Sequence, residues 1–229
     1  MVLVKEYRII NNCTVDEYRI AQLYAVAKMS MSETGSGEGV EVIKNEPYDN
    51  EKGKGQYTKK IYSFARQVPI FKVVTETMHL ADRAETENAL NLDAKVLAQR
   101  VVEHIDVTND KELSAAAYKE SEDPKLYKAT KAERGPLSTE DWMETCEPVM
   151  TCYKLLTVEF GWWGFQTAVE RYIHSTMRGV FALFHRQLFC DTDGWFGMTI
   201  EELRAMEDET AKKLLDKRNQ ELASKTEFN

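Results

Sequence analysis

Lys154 is the residue whose position most clearly requires a chemical partner. It lies in a strand-like run, residues 150 to 160, on the same face as Leu156 and Val158, where the alternation predicts an apolar side chain. An unpaired charge inside a protein is strongly disfavoured. Two interpretations fit: the stem lies along apolar surface while the ammonium reaches water, or the lysine lines a pocket and binds a phosphate or carboxylate as a point charge.

Trp162 and Trp163 follow that strand directly, between Gly161 and Gly164. Neighbouring residues of an extended chain point to opposite faces, so at least one of the two rings should be exposed. A corner of the core is one interpretation. Aromatic rings with a polar N–H are also enriched at membrane–water interfaces, and the flanking glycines favour this second interpretation, a membrane contact.

Other strand-like runs carry polar side chains with a weaker signal. Gln56, Thr58, Lys60 and Tyr62 share one face of a predicted strand, which suits solvent exposure more simply than a pocket, although both remain open. Thr77 shares a face with apolar residues, and an isolated threonine there is commonly just a good strand former. These residues alone do not indicate a function.

Signatures of catalysis and of metal binding are absent from the sequence. The four histidines are scattered over two predicted strands and a helix, and there is no nucleophile elbow, phosphate-binding loop or dinucleotide fingerprint. The four cysteines have neither CxxC spacing nor a Cys/His cluster, which argues against zinc and against a disulfide scaffold. We therefore expect a protein that is not an enzyme and that has neither a zinc site nor a disulfide scaffold.

Composition and charge limit the classes of partner that the protein can bind. Hydrophobic residues make up 43% of the 229 residues, and 30 basic against 38 acidic residues give a net charge of -8, which argues against a broad nucleic-acid-binding face. Lys5, Glu6 and Arg8 interrupt the apolar N-terminal run, so we expect no signal peptide. No run approaches the roughly 20 apolar residues that span a bilayer. We expect a cytoplasmic protein with reduced thiols, whose membrane contact is peripheral.

The periodicity predicts one domain over residues 1 to 229, with a charged tail from about residue 218. The predicted strands are residues 2–10, 40–46, 56–64, 71–79, 100–107 and 150–160. The predicted helices are residues 14–29, 113–118, 165–188 and a final helix from 199. Capping boxes begin the first helix, at Thr14 and Glu17, and the last, at Thr199 and Glu202. This order predicts an α+β fold in which a helix lies across a curved antiparallel sheet and encloses a cavity.

Many separate blocks of the sequence resemble one known family. They include VDEY, QLYAVA, ETGSGEGVEV, KGQYT, CYKLLTVEFGWWG and FHRQLFC. From Met1 to about Lys217 the chain resembles the phosphatidylinositol transfer proteins of the soluble single-domain class. This resemblance implies a START-like helix-grip fold around one phospholipid, with phosphatidylinositol and phosphatidylcholine exchanged between membranes as cargo, without covalent chemistry or a cofactor. It also implies a monomer that touches membrane surfaces transiently.

The resemblance also implies roles for particular residues. The positions that match contacts of the inositol ring are Thr58, Lys60 and Glu207. The positions that match contacts of the lipid phosphate are Gln22, Thr77 and Lys154. The positions that match a membrane-inserting pair are Trp162 and Trp163. Thr130 stands where the family has a serine that is phosphorylated.

The sequence departs from the family pattern after Gln67 to Pro69. In the family a mobile exchange loop and further strands follow this motif, whereas here the next predicted strand begins almost at once, at Phe71. Several inositol contacts are lost with that segment. We expect an incomplete sheet that either exposes apolar lining or pairs across the gap, and transfer that is impaired with a weakened preference for phosphatidylinositol. The alternative is a member that associates with membranes or other proteins without transferring lipid.

Overall fold

The computed structural model describes residues 3–32, 39–50, 53–63, 71–160, 166–206 and 208–209. The strands are β1 Leu3–Asn11, β2 Gly39–Asn50, β3 Gly53–Ser63, β4 Phe71–Leu80, β5 Val101–Ile105 and β6 Met150–Phe160. The helices are α1 Val15–Ser32, α2 Ala94–Gln99, α3 Trp142–Thr145, α4 Gln166–Cys190 and α5 Thr192–Trp195. Short 3-10 helices lie at Asp110–Glu112 and Glu120–Glu122, and residues 200 to 206 are also helical.

The six strands form one sheet that does not close, in the order β2-β3-β4-β6-β1-β5. This confirms the α+β class and the incomplete sheet. The sheet is mainly antiparallel, as expected: four of the described strand pairs are antiparallel, and the pair of β1 with β5 is parallel. β4 and β5 run in the same direction, so the chain crosses from one to the other through residues 81 to 100, as strands of equal direction require.

The sheet is continuous across the place where the sequence departs from the family pattern. β3 pairs with β4 in antiparallel register from Gln56 opposite His79 to Tyr62 opposite Val73. Of the two expected outcomes, pairing across the gap is therefore the one found. Residues 64 to 70, which link these strands, lie outside the described residues.

Helices α1 and α4 cover one face of the sheet. α4 buries Met177, Phe181, His185 and Leu188, whose spacing of three and four residues forms one helical stripe. The Phe181 ring meets the ring of Tyr7 on β1 edge-on, with centroids 5.6 Å apart. This confirms the helix expected over residues 165 to 188, which the structure extends to Cys190.

The capping boxes form as expected. The backbone N–H of Thr14 donates to Glu17 Oε2 at 2.7 Å, and the N–H of Glu17 donates to Thr14 Oγ1 at 3.1 Å. Thr199 and Glu202 make the same reciprocal pair at 2.8 and 3.2 Å. Each box satisfies amide groups that the first turn of a helix leaves without partners.

The other face of the sheet is covered by the crossover between β4 and β5. Arg8 donates to Glu6 and to the carbonyl oxygen of Ala84, both at 2.8 Å, and lies over the Tyr153 ring. Arg100 pairs with the same Glu6 carboxylate. Two guanidinium groups therefore compensate the fully buried Glu6, which makes this charge cluster part of the scaffold.

The connecting segments differ from the prediction in two places. Residues 113 to 118 form a turn and not the predicted helix: the N–H groups of Ala117 and Tyr118 both donate to the Ser114 carbonyl oxygen, and the N–H of Leu113 donates back to Asp110. Conversely, the sequence pattern does not predict α2. This helix has six residues and buries none of them, so hydrophobic periodicity gives no signal for it; the carboxylate of Asp93, the residue before it, caps its N-terminus.

Candidate functional site

A row of side chains crosses four strands on the face that α1 and α4 cover. Lys154 on β6 lies directly opposite Thr77 on β4, and Thr77 lies directly opposite Thr58 on β3. On the other side of Lys154 the row continues to Tyr7 on β1, which is fully buried. Directly opposed residues of neighbouring strands share a face of the sheet, so three of the residues singled out in the sequence come together here.

The row is buried, which corrects the solvent-facing interpretation of the β3 stripe at Thr58. Thr58 is 3% exposed, Thr77 5% and Lys154 8%. Lys60 follows on the same strand face, with its backbone opposite Thr75, but its side chain lies outside the described residues. The sheet therefore presents a polar strip to the interior of the molecule.

Lys154 brings a cation into this interior. Its ammonium nitrogen lies 5.3 Å from the centre of the Phe181 ring, a cation–π contact with α4. Among the described residues it has no carboxylate partner. Burial lowers the pKa of Lys154, because a low-dielectric surrounding disfavours the charged form. An anion placed at this nitrogen would reverse that effect and stabilise the ammonium.

Two histidines and a tyrosine lie beside the row. Tyr18 of α1 packs against His79 of β4 with ring centroids 4.7 Å apart, and stacks on His185 of α4 at 5.8 Å with an angle of 14° between the rings. His79 lies opposite Cys152, one alternation from both Thr77 and Lys154. Neither histidine has a predicted role from the sequence pattern. The alternation that places His79 on the face of Thr77 was the available signal.

The orientation of His185 follows from its hydrogen bond. Its Nδ1 lies 2.7 Å from Oδ1 of Asn11, and an amide oxygen only accepts, so Nδ1 carries the proton. Burial, followed by the positive charges of Lys154 and His79, lowers the pKa of His185 well below its ordinary value. His185 is therefore neutral at pH 7.

Gln22 approaches the site from α1. It lies one helical turn after Tyr18 and is half-buried, so it projects from the side of the helix that packs against His79. The described part of the chain offers its amide no hydrogen bond. The structure thus places Gln22 on the helix that covers the row, without a contact to the row itself.

Three of the residues expected in the site lie outside the described part of the chain. These are Trp162, Trp163 and Glu207. The tail from residue 218 also lies outside it. In the sequence, Trp162 and Trp163 fall between β6, which ends at Phe160, and α4, which begins at Gln166.

Thr130 lies apart from the row, in an exposed turn against α5. Its hydroxyl and its backbone N–H both donate to Asp193 Oδ2 at 2.9 Å. The N–H of Lys131 donates to Asp193 Oδ1 at 2.7 Å, and its ammonium donates to the Asp193 carbonyl oxygen at 2.6 Å. These backbone and side-chain bonds lower the pKa of Asp193. The carboxylate thus fastens the turn to α5.

Among the described residues, no group of three or more histidine, cysteine, aspartate or glutamate side chains is arranged to hold a metal ion. No helix there has both the length and the apolar composition to cross a bilayer.

One family model matches almost the whole chain. The family model described as phosphatidylinositol transfer protein matches residues 2–72 and residues 69–212. The two matches meet at residues 69 to 72, where the link between β3 and β4 is short. The family pattern is therefore present on both sides of the place where the sequence departs from it.

Several related proteins align with this chain over nearly their full lengths. Phosphatidylinositol transfer protein 2 of Dictyostelium discoideum is 47% identical over 253 residues, covering 94% of this chain and 96% of its own. Phosphatidylinositol transfer protein 1 of that organism is 40% identical over 263 residues, covering 97% and 99%. The human phosphatidylinositol transfer protein beta isoform is 39% identical over 255 residues, covering 93% and 94%. Each alignment is longer than the 229 residues of this chain, so each relative has residues without a counterpart here. With this identity and coverage, and with both halves matched by the family model, the chain belongs to the phosphatidylinositol transfer protein family.

Proposed function

We propose that the protein binds one phosphatidylinositol molecule with its head group against the Thr58–Thr77–Lys154 row and carries it between membranes. The observation that supports this most directly is Lys154, a buried cation without a carboxylate partner in the described part of the chain. A phosphodiester carries one negative charge and acceptor oxygens, and so supplies what this site lacks.

The two ends of the row suit two parts of the head group. We assign the phosphate to Lys154, Thr77 and Gln22, and the inositol ring to Thr58, Lys60 and Glu207. The phosphate end would serve phosphatidylcholine equally, because both lipids share the phosphodiester. We therefore propose that both are cargo, with discrimination at the β3 end of the row.

No covalent step is needed for this activity. The phospholipid enters and leaves unchanged, so we propose a carrier that is not an enzyme, requires no cofactor, and acts as a cytoplasmic monomer at membrane surfaces. Trp162 and Trp163 would make the membrane contact. Their place between β6 and α4 would couple docking to movement of the helix that covers the lipid phosphate.

The short link between β3 and β4 bears on how well transfer proceeds. The relatives have residues that this chain lacks, and the family match breaks at that link. We propose that transfer is slower than in those relatives and that the preference for phosphatidylinositol is weakened. The same observation favours a second candidate, a member that associates with membranes or other proteins and transfers no lipid.

Native mass spectrometry of the recombinant protein, joined to a vesicle transfer assay, tests the proposal. We expect a bound phospholipid in the wild-type mass and transfer of labelled phosphatidylinositol, both lost in Lys154→Met. Lys119→Met is the matched control, since Lys119 is exposed and pairs with Glu122 on the surface. No bound lipid together with no transfer above the blank in the wild type would overturn the proposal.

A further inference from the structure

Thr75 holds a buried hydroxyl that the structure leaves without a partner. The side chain is 4% exposed, and its Oγ1 makes no hydrogen bond with the described residues. Burying a hydroxyl without a hydrogen bond costs free energy. Valine has the same shape and is an equally good strand former, so packing alone does not explain a threonine here.

The position of Thr75 places that hydroxyl at the centre of the proposed head-group site. On β4 it is two residues from Thr77, on the same face of the sheet. Across the sheet it lies opposite Lys60 of β3 and Leu156 of β6. Lys154 and Thr58 are its diagonal neighbours, about 7 Å away between Cβ atoms in a regular sheet. Thr75 thus lies between the residues assigned to the phosphate and those assigned to the inositol ring.

The surroundings of Thr75 indicate the chemistry of its missing partner. β4 is an interior strand, so its backbone N–H and C=O groups are used in the ladders with β3 and β6. A hydroxyl can donate, and the described cation nearest along the sheet face is Lys154. We propose that Thr75 donates a hydrogen bond to a phosphate oxygen of the bound phospholipid. This inference rests on the proposed function.

Deletion of the Thr75 hydroxyl tests the assignment with two measurements, the melting temperature and the affinity for phospholipid. A purely structural hydroxyl would not change these two quantities in opposite directions. Thr75→Val removes an unsatisfied polar atom, so the melting temperature of the lipid-free protein should rise by roughly 2–4 °C. The same change should weaken the affinity for phospholipid about tenfold, because a hydrogen bond to a charged oxygen is lost. Thr75→Ser keeps the hydroxyl and should bind as the wild type does. Thr75→Ala serves as the second deletion if the valine variant does not fold.

The choice of lipid and a matched control complete the test. Phosphatidylinositol and phosphatidylcholine with the same labelled acyl chains should lose affinity equally, since the phosphate is common to both. Thr157→Val removes a hydroxyl from the opposite face of the same sheet and should leave both affinities unchanged. Unchanged affinity in Thr75→Val, or a loss confined to phosphatidylinositol, would overturn the assignment. If the wild type bound neither lipid, the proposed function itself would fail, which is a distinct result.

Discussion

Thr77 of β4 lies directly opposite Lys154 of β6, on the face of the sheet that α1 and α4 cover. A hydroxyl and an ammonium are thereby held on neighbouring strands, where side chains directly opposite interact. The Phe181 ring lies over the ammonium from the helix side. The geometry defines one place where an anionic oxygen could meet both groups, at the centre of the sheet.

This pairing predicts that Thr77 and Lys154 contact the same group of the ligand, its phosphate. We expect Thr77→Val and Lys154→Met each to lower the affinity for phosphatidylinositol at least about tenfold, and the double variant to lose less than the sum of the two. Titration of labelled lipid into the four proteins measures the coupling. Additive losses would show that the two residues contact separate parts of the ligand.

The lowered pKa of Lys154 predicts a pH dependence of the lipid-free protein. Burial lowers the folded-state pKa below the ordinary value of 10.5, so between these two values the unfolded chain binds more protons and the stability rises with pH. The free energy of unfolding of the wild type, less that of Lys154→Met, should therefore increase as the pH approaches 10.5. Burial raises the pKa values of Tyr7 and Tyr153, so these two groups lower the free energy of unfolding as the pH rises in the same range. The subtraction cancels their contribution.

Phospholipid should abolish that pH dependence. A bound phosphate favours the charged form of Lys154 and restores its pKa toward the ordinary value. Denaturant unfolding at several pH values, with and without saturating phosphatidylinositol, measures this. A difference curve that stays flat in the lipid-free protein would mean that the ammonium is already compensated.

The two ends of the row predict different lipid selectivity. Thr58→Ala should reduce the transfer of phosphatidylinositol about fivefold or more and leave phosphatidylcholine unchanged, because only the inositol ring offers hydroxyls to this side chain. Thr77→Val is the matched change on the next strand, and it should reduce both lipids. Equal effects of Thr58→Ala on the two lipids would contradict the assignment of β3 to the inositol ring.

The fold was largely predictable, because β1, β4, β6 and α4 carry clear periodicity and the capping boxes are local signals. The direction of β5 was not predictable, since the pairing of a parallel edge strand depends on where the crossover places the chain. Alternation identified Lys154 as unusual but not as buried. Burial of Thr58 required the register of β3 on β4, which no local pattern specifies. The hydroxyl of Thr75 gives no signal in the sequence, because a threonine in a strand is ordinary until its missing hydrogen bond is known.

The tandem tryptophans predict a separation of lipid binding from membrane docking. Trp162→Ala with Trp163→Ala should abolish association with vesicles and lower transfer, while the purified protein keeps its bound lipid, because the pair precedes α4 and is not part of the row. Vesicle flotation and native mass spectrometry measure the two properties. If the double variant floats with vesicles as the wild type does, the rings belong to the core.

Phosphorylation of Thr130 would act through Asp193. A phosphate group on the hydroxyl would stand beside the carboxylate that now accepts that hydroxyl at 2.9 Å, so like-charge repulsion should detach the turn from α5. Thr130→Glu should therefore speed hydrogen exchange at the amides of Thr130 and Lys131, both of which donate to Asp193. Ser138→Glu, an exposed residue nearby, should leave those amides protected. Protection that persists in Thr130→Glu would show that the turn is held independently of this carboxylate.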